Sequence, residues 1–292
     1  MNRTLARLRS PSHLVTKAIG DALAEDLGLV GDLTTLATVA TTKRASAQLI
    51  ARQKGVICGL ELAHETFSAL NKDCVFSQKF NDGDAVEDGA LIAEIKGAAH
   101  ALLTGERVAL NFMAHLSGIA TLTQAYVAKV KGTKAKITDT RKTTPGLRAL
   151  EKYAVRCGGG HNHRSGLFDA MMIKDNHILA AGGIGQAISA AKKAAGHMLR
   201  IEVEVDTLAQ LDEVLKHGNI IDAVLLDNMD LETLECAVSK VSGALICEAS
   251  GGVTLDTVSD IARTGVDIIS VGALTHSAPA LDLGLDFNNP TA

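Results

Sequence analysis

The second half of the chain repeats one texture: a short apolar run that stops at a polar or charged residue, then a segment of helical periodicity. Such runs occupy residues 136–140, 170–174, 199–205, 223–227, 244–248 and 268–271. The last three follow one another at about 20 to 25 residues, one strand plus a crossover helix, which predicts parallel strands joined by helices. Parallel strands form either an open sheet or a barrel. No strand is followed by Gly-x-Gly-x-x-Gly, and the chain has no Gly-x-x-x-x-Gly-Lys, the phosphate-binding signatures of open sheets. A (β/α) barrel is the expectation.

The first half reads differently. Residues 13–27 place Leu14, Ala18, Ala22 and Leu23 on one face of an amphipathic helix begun by Ser10-Pro11-Ser12, expected to pack on a sheet. Strand-like alternation follows at residues 45–51 and 75–80, and the turn signals Asn81-Asp82-Gly83-Asp84 and Glu87-Asp88-Gly89 bracket further short strands. This half is α+β. Between Gly105 and Val130, Val108, Phe112, Leu116, Ile119 and Tyr126 recur at helical spacing, predicting one long connecting helix with a bend at Gly118.

At 292 residues the chain is long enough for two domains. Its aromatic content of 3% and net charge of -4 remove the base-stacking groups and the phosphate attraction on which nucleic-acid binding rests. No apolar run approaches the ~18 residues of a membrane span, and the N-terminal Arg3, Arg7 and Arg9 precede no apolar signal core. The five cysteines form an odd set without Cys-x-x-Cys spacing, so a reducing, cytoplasmic compartment is expected.

The expected strand ends carry Asp139-Thr140-Arg141-Lys142, Lys174-Asp175-Asn176, Glu202-x-Glu204, Asp227-Asn228, Glu248-x-Ser250-Gly251-Gly252 and Gly272. Barrel chemistry sits at those ends, and charges buried there without partners would each cost several kcal/mol. They point to a polar ligand. Seven basic residues stand against two acidic ones between positions 141 and 174. Arg148, Lys152 and Arg156 recur every four residues, as a solvated helical face would. Arg141, Lys142, Arg164 and Lys174 sit at strand ends or beside glycines, where a guanidinium fork or an ammonium would meet a polyanion.

Glu204 and Asp227 would project into the same mouth, and few, hard oxygen ligands suit Mg²⁺ shared with substrate phosphates; the same carboxylates could instead simply pair with the neighbouring cations. Ser250-Gly251-Gly252 and Gly272, on consecutive final strands, match the place where many barrels bind a phosphate, though tight turns alone would also use glycine. His161-Asn162-His163 is an incomplete zinc site, better suited to proton handling or anion binding.

The string TDTRKTTPGLRALEKYAVRCGGGHNHRSGLFDAMMIKDNHI, residues 138–178, closely resembles the signature of the quinolinate phosphoribosyltransferase family. So do Glu25-Asp26 with Gly31-Asp32-Leu33-Thr34, Glu106-Arg107 with Leu110-Asn111, Glu202-Val203-Glu204, Leu226-Asp227-Asn228, Glu248-Ala249-Ser250-Gly251-Gly252 and residues 271–276. The resemblance implies an N-terminal α/β (α+β) sandwich, residues 1–115, that covers a partner's active site, and an incomplete TIM-like barrel, residues 116–292, whose tail returns to the first domain. It implies a homodimer with shared sites that converts quinolinate and phosphoribosyl pyrophosphate to nicotinate mononucleotide, pyrophosphate and CO₂, with Mg²⁺. Carried over by position, Arg141, His163, Arg164 and Lys174 would hold the quinolinate carboxylates with Arg107 of the partner subunit. Lys142, Glu204 and Asp227 would face the pyrophosphate and Mg²⁺, and Thr140 would join the substrate contacts. Ser250, Gly251, Gly252, Val271, Gly272 and Ala273 would cradle the 5′-phosphate. Two other readings are a lyase using Lys174 as a Schiff-base nucleophile and a non-catalytic phosphosugar-binding protein on the same fold.

Overall fold

The computed structural model describes residues 12–288. In chain order its elements are α1 (Ser12–Leu27), α2 (Leu33–Thr38), β1 (Arg44–Ala51), β2 (Gly55–Val56), α3 (Leu60–Leu70), β3 (Val75–Gln78), β4 (Ala85–Val86), β5 (Leu91–Ala98) and α4 (Ala99–Lys129). There follow β6 (Lys136–Thr138), α5 (Arg148–Cys157), β7 (Met171–Ile173), α6 (Asp175–Ala181), α7 (Ile184–Ala194), β8 (Ile201–Val205), α8 (Leu208–Leu215) and β9 (Ala223–Asp227). The chain ends with α9 (Leu231–Val241), β10 (Ile246–Ser250), α10 (Val258–Arg263), β11 (Ile268–Ser270), α11 (Ala273–His276) and β12 (Leu283–Phe287). The basic Arg3, Arg7 and Arg9 lie outside the described residues.

Two compact units result. Among the described residues the first gathers 12–124, 144–159 and 275–288; the second, 125–143 and 160–274. By this grouping the units meet inside α4 after Gln124, and α5 belongs with the N-terminal elements.

The first unit is built on an antiparallel sheet ordered β12-β1-β5-β3, in which Ala47 of β1 lies opposite both Phe287 and Ile95. Alternation along β1 turns Ala47, Leu49 and Ala51 to one buried face. That face packs into a core with Ile57, Phe67, Ile92, Ile95, Leu102 and Met113. Helix α1 forms as its periodicity predicts, and it packs chiefly on α3. Its buried line is Val15 and Ile19, with the expected Leu14, Ala18, Ala22 and Leu23 as half-buried flanks. Asp32 caps α2, accepting the Thr35 amide at 2.9 Å and the Thr104 hydroxyl at 3.1 Å.

Helix α5 corrects one expectation outright. Instead of a solvated face, it buries Lys152, 3% exposed, beside Glu151, which is fully buried. Glu151 accepts the His115 ring N–H at 2.9 Å and the Thr144 amide at 3.1 Å. Four-residue spacing shows that Arg148, Lys152 and Arg156 share a face but not that the face is solvated, and here Lys152 is engaged within the protein.

The second unit is a six-stranded parallel sheet ordered β6-β11-β10-β9-β8-β7. Among the described residues no ladder joins β6 to β7, so the barrel is incomplete. Buried strands of parallel sheets usually read as continuous apolar runs, but β8 is Ile-Glu-Val-Glu-Val, with Ile201, Val203 and Val205 buried on one face. Glu202 and Glu204 occupy the other face. The same parity places Lys174 beyond β7, Asp227 and Ser250 along one line of side chains, since Ser250 pairs with Asp227 and Glu202 with Met172.

Gly118 does not interrupt α4, which runs unbroken for 31 residues. Its role is clearance: a Cβ at this position would lie 2.0 Å from the Pro279 carbonyl oxygen. Gly118→Ala should therefore reverse the ordinary helix preference of about 1 kcal/mol for Ala and destabilise the protein by about 1–3 kcal/mol. A lower urea midpoint checks this, and an unchanged or raised midpoint would contradict it.

Candidate active site

Every expected site residue except Arg107 falls in the second unit, at or just beyond a strand end. Thr140, Arg141 and Lys142 follow β6. His163 and Arg164 lie in the segment before β7, and Lys174 directly after it. Glu204 lies in β8, Asp227 ends β9, and Ser250 ends β10 with Gly251 and Gly252 behind it. Val271 and Gly272 follow β11, and Ala273 opens α11. Arg107 is exposed on α4 of the first unit.

The His163 segment is pinned from below. Asp139, fully buried, accepts the His163 amide at 3.0 Å and the Asn162 side-chain amide. The Arg164 amide donates to His163 Nδ1 at 2.7 Å. That nitrogen must therefore be the acceptor, which leaves the ring proton on Nε2. Nε2 donates to Glu202 Oε2 at 3.1 Å and stands 3.6 Å from Glu248 Oε1. Both ring nitrogens are thus engaged within the protein, so His163 orients the segment carrying Arg164. Glu202 comes from β8 and Glu248 from β10, two strands apart in the ladder. One imidazole reaches both because they share the concave inner face.

Burial pushes the Glu248 carboxyl up to about 7, the charge of Glu202 adds to the effect, and His163 and the Ser270 hydroxyl pull against it. Sequence reading placed Glu202 and Glu248 at strand ends without seeing that they turn on His163. The available signal was parity: Glu202 shares it with Glu204, and Glu248 with Ser250.

The cationic side of the site is left open. Arg164 donates from Nη1 to the Ala170 carbonyl at 3.2 Å and from Nη2 to the Met172 sulfur at 3.7 Å. Its Nε and that of Arg141 are buried with no hydrogen-bond partner among the described residues. Burial, and the guanidinium of Arg141 close by, lower the affinity of Arg164 for its proton. Two like charges are thus held together with donors unspent, an arrangement that an anion relieves.

Lys174 Nζ contacts Glu204 Oε2, and Asp227 Oδ2 accepts the Asn228 side-chain amide at 2.6 Å. Neither carboxylate belongs to a group of three metal-ligating side chains among the described residues. The next loop requires glycine: Gly251 has φ 96°, and a Cβ there would lie 2.1 Å from Asn228 Oδ1. Asn228 itself is left-handed at φ 53° and donates its amide to the Ser250 carbonyl at 2.9 Å. The ends of β9 and β10 are thereby locked together, leaving backbone beyond β10 uncovered by side chains at Gly251 and Gly252.

Unspent guanidiniums, paired carboxylates and glycine loops at the strand ends define an α/β-barrel enzyme for anionic, phosphorylated substrates. Family profiles make the assignment finer. Those for the quinolinate phosphoribosyl transferase N-terminal and C-terminal domains match residues 32–117 and 119–286. This chain belongs to the quinolinate phosphoribosyltransferase family. It is similar to the nicotinate-nucleotide pyrophosphorylase [carboxylating] of Mycobacterium leprae, 45% identical over 272 residues covering 91% of this chain and 94% of that protein. It is 41% identical over 298 residues to quinolinate phosphoribosyltransferase [decarboxylating] 1b of Nicotiana tabacum, covering 97% and 85% of the two chains. The solved nicotinate-nucleotide pyrophosphorylase of Francisella tularensis superposes with a TM-score of 0.91 at 41% identity, over 96% of this chain and 98% of that one.

Glu248 gives the site a pH signature. The folded chain keeps the proton up to about 7, whereas an unperturbed carboxyl releases it near 4.5. Between those values the native state binds the extra proton, so stability falls as pH rises, by up to about 3 kcal/mol. Glu248→Gln removes this titration. Its stability relative to wild type should improve by about 2–3 kcal/mol between pH 5 and pH 8 in chemical denaturation. Parallel pH profiles for the two proteins would refute the raised carboxyl.

Proposed function

We propose that this enzyme transfers the phosphoribosyl group of phosphoribosyl pyrophosphate to the ring nitrogen of quinolinate and releases pyrophosphate and CO₂, forming nicotinate mononucleotide in de novo NAD biosynthesis. The observation that carries the reading is the Arg141–Arg164 pair with its two buried, unpartnered Nε donors, which asks for an anion of more than one carboxylate. Arg141, Arg164 and Lys174 receive the quinolinate carboxylates, with His163 fixing the segment on which Arg164 stands. Lys142 and Thr140 lie on the exposed loop beyond β6, where the Lys142 amide donates to Thr140 Oγ1 at 3.0 Å, and they serve the phosphoribosyl pyrophosphate. Ser250, Gly251, Gly252, Val271, Gly272 and Ala273 take the 5′-phosphate through backbone amides.

Glu204 and Asp227 are the residues that would hold Mg²⁺. Two hard carboxylates outside any three-ligand cage fit an ion that keeps its waters and shares substrate oxygens. When bound, the ion neutralises charge developing on the pyrophosphate leaving group. The chain's own part is positioning and charge: the cations align the pyridine nitrogen with the anomeric carbon while the strand-end groups stabilise an oxocarbenium-like ribose. After transfer the ring nitrogen is positive and draws the electrons of the adjacent C–CO₂⁻ bond. Among the described residues no helix is long and apolar enough to cross a membrane, and none of the five cysteines is in a disulfide, which supports a cytoplasmic enzyme.

The test of the substrate is direct. With Mg²⁺ and phosphoribosyl pyrophosphate, quinolinate should yield nucleotide, and nicotinate should react with at least about 100-fold lower kcat/KM, because a mono-acid leaves cationic donors unpaired. Comparable efficiency for both acids would overturn the assignment.

Arg107 is proposed to complete carboxylate recognition in the site of a second copy, so that a homodimer shares its active sites. Mixing inactive Arg107→Ala with inactive Lys174→Ala should then generate hybrid dimers with one intact site, recovering up to about half of a dimer's activity per hybrid. Hybrids shown to have exchanged subunits, yet still inactive, would confine Arg107 to its own chain.

A further inference from the structure

Within the first unit, three ligand-bearing side chains from distant parts of the sequence meet. Cys58 lies in the turn after β2, Asp82 in the turn before β4, and Cys157 is the last residue of α5. The two Sγ atoms and a carboxylate oxygen of Asp82 all lie within 4.8 Å of one another. Cys58 is fully buried, while Cys157 and Asp82 are half-buried.

The junction is rigid around these atoms. The Cys58 amide donates to Ser117 Oγ at 2.9 Å, and that hydroxyl donates back to the Cys58 carbonyl at 3.1 Å. Asp82 accepts the Leu60 amide at 3.1 Å on one oxygen and the Tyr153 hydroxyl at 2.8 Å on the other. Tyr153 precedes Cys157 by one helical turn, so the bond that holds Asp82 also aims the Cys157 side chain at the same point. Glycine at position 83 supplies the left-handed backbone, φ 93°, on which the turn carrying Asp82 depends.

The three ligand atoms come from three separate segments of the chain and lie close enough to close around one ion. Two soft sulfurs and one oxygen select a thiophilic divalent ion over Mg²⁺. Tetrahedral coordination with Zn–S near 2.3 Å sets ligand sulfurs about 3.8 Å apart, within the observed span.

We propose that Cys58, Asp82 and Cys157 form a binding site for Zn²⁺ or a similar thiophilic divalent ion, with water as the fourth ligand. Binding is an exchange without oxidation: two thiol protons leave, two metal–sulfur bonds form, and the Asp82 carboxylate donates one oxygen. The ion ties the turn after β2, the turn before β4 and the end of α5 into one unit. It is separate from the Mg²⁺ proposed at Glu204 and Asp227, and its test does not depend on turnover.

The experiment is a Co²⁺ titration of the full chain, kept reduced with a phosphine, in excess Mg²⁺. A thiolate-to-cobalt charge-transfer band should saturate at one Co²⁺ per chain, bleach on adding one equivalent of Zn²⁺, and accompany release of about two protons. Cys157→Ser, a small change at a half-buried position, should lose the band and weaken Zn²⁺ at least about tenfold while circular dichroism shows the fold intact. Asp82→Asn should keep the band at lower affinity, and Cys236→Ser, at an exposed cysteine, should leave it unchanged. No band in the reduced wild-type chain, or one that survives Cys157→Ser, would overturn the proposal.

Discussion

A guanidinium taken out of water must be answered, and the second unit leaves two of them partly unanswered. The guanidinium of Arg141 stands close enough to disfavour the charge on Arg164, and each of the two hides an Nε with no hydrogen-bond partner among the described residues. Both residues are half-buried, so what lacks a partner is the two shielded Nε donors rather than two whole charges. Asp139 grips the segment at Asn162 and His163, and the His163 ring is held between the Arg164 amide and Glu202. The strain of like charges is thereby stored where a dianion would release it. Binding and preorganisation are two aspects of one arrangement.

The opposite problem is solved one step along the strands. Glu202 and Glu248 bring two carboxyls toward a single imidazole nitrogen, and the neutral tautomer offers only one proton to share. Glu248 responds by holding its own proton toward neutrality. Keeping one carboxyl neutral lowers the negative charge beneath the cations without removing the hydrogen-bonding frame. Strand β8 carries charge within the parallel sheet because it alternates, with Ile201, Val203 and Val205 buried on one face and Glu202 and Glu204 on the other.

Much of this was legible in the sequence, and for identifiable reasons. The repeat of apolar runs gave the parallel strands because each βα unit is a local pattern, and β9 appears at the residues expected for it. β10 begins two residues later than its apolar run, since Ala244 and Leu245 belong to the turn after α9. Glycine at 251 was legible as a loop signal, whereas its partner Asn228, which makes glycine necessary, was not. What failed was what depends on tertiary enclosure. Lys152 sits at the spacing of an exposed face and is buried, and the hold of the Arg164 amide and Glu202 on the His163 ring depends on residues that spacing does not connect. Periodicity reports which residues share a face; it does not report what the face meets.

The same geometry separates the chemistry of this barrel from that of a Schiff-base lyase. A lysine that attacks a carbonyl needs a free lone pair and a desolvated pocket. Lys174 has neither: its side chain is 40% exposed and its ammonium lies on the carboxylate of Glu204. In that position it contributes a positive charge already held against a carboxylate. An ion pair at the mouth is then a reserve of matched charge, already desolvated in part, and the site needs no covalent intermediate to use it.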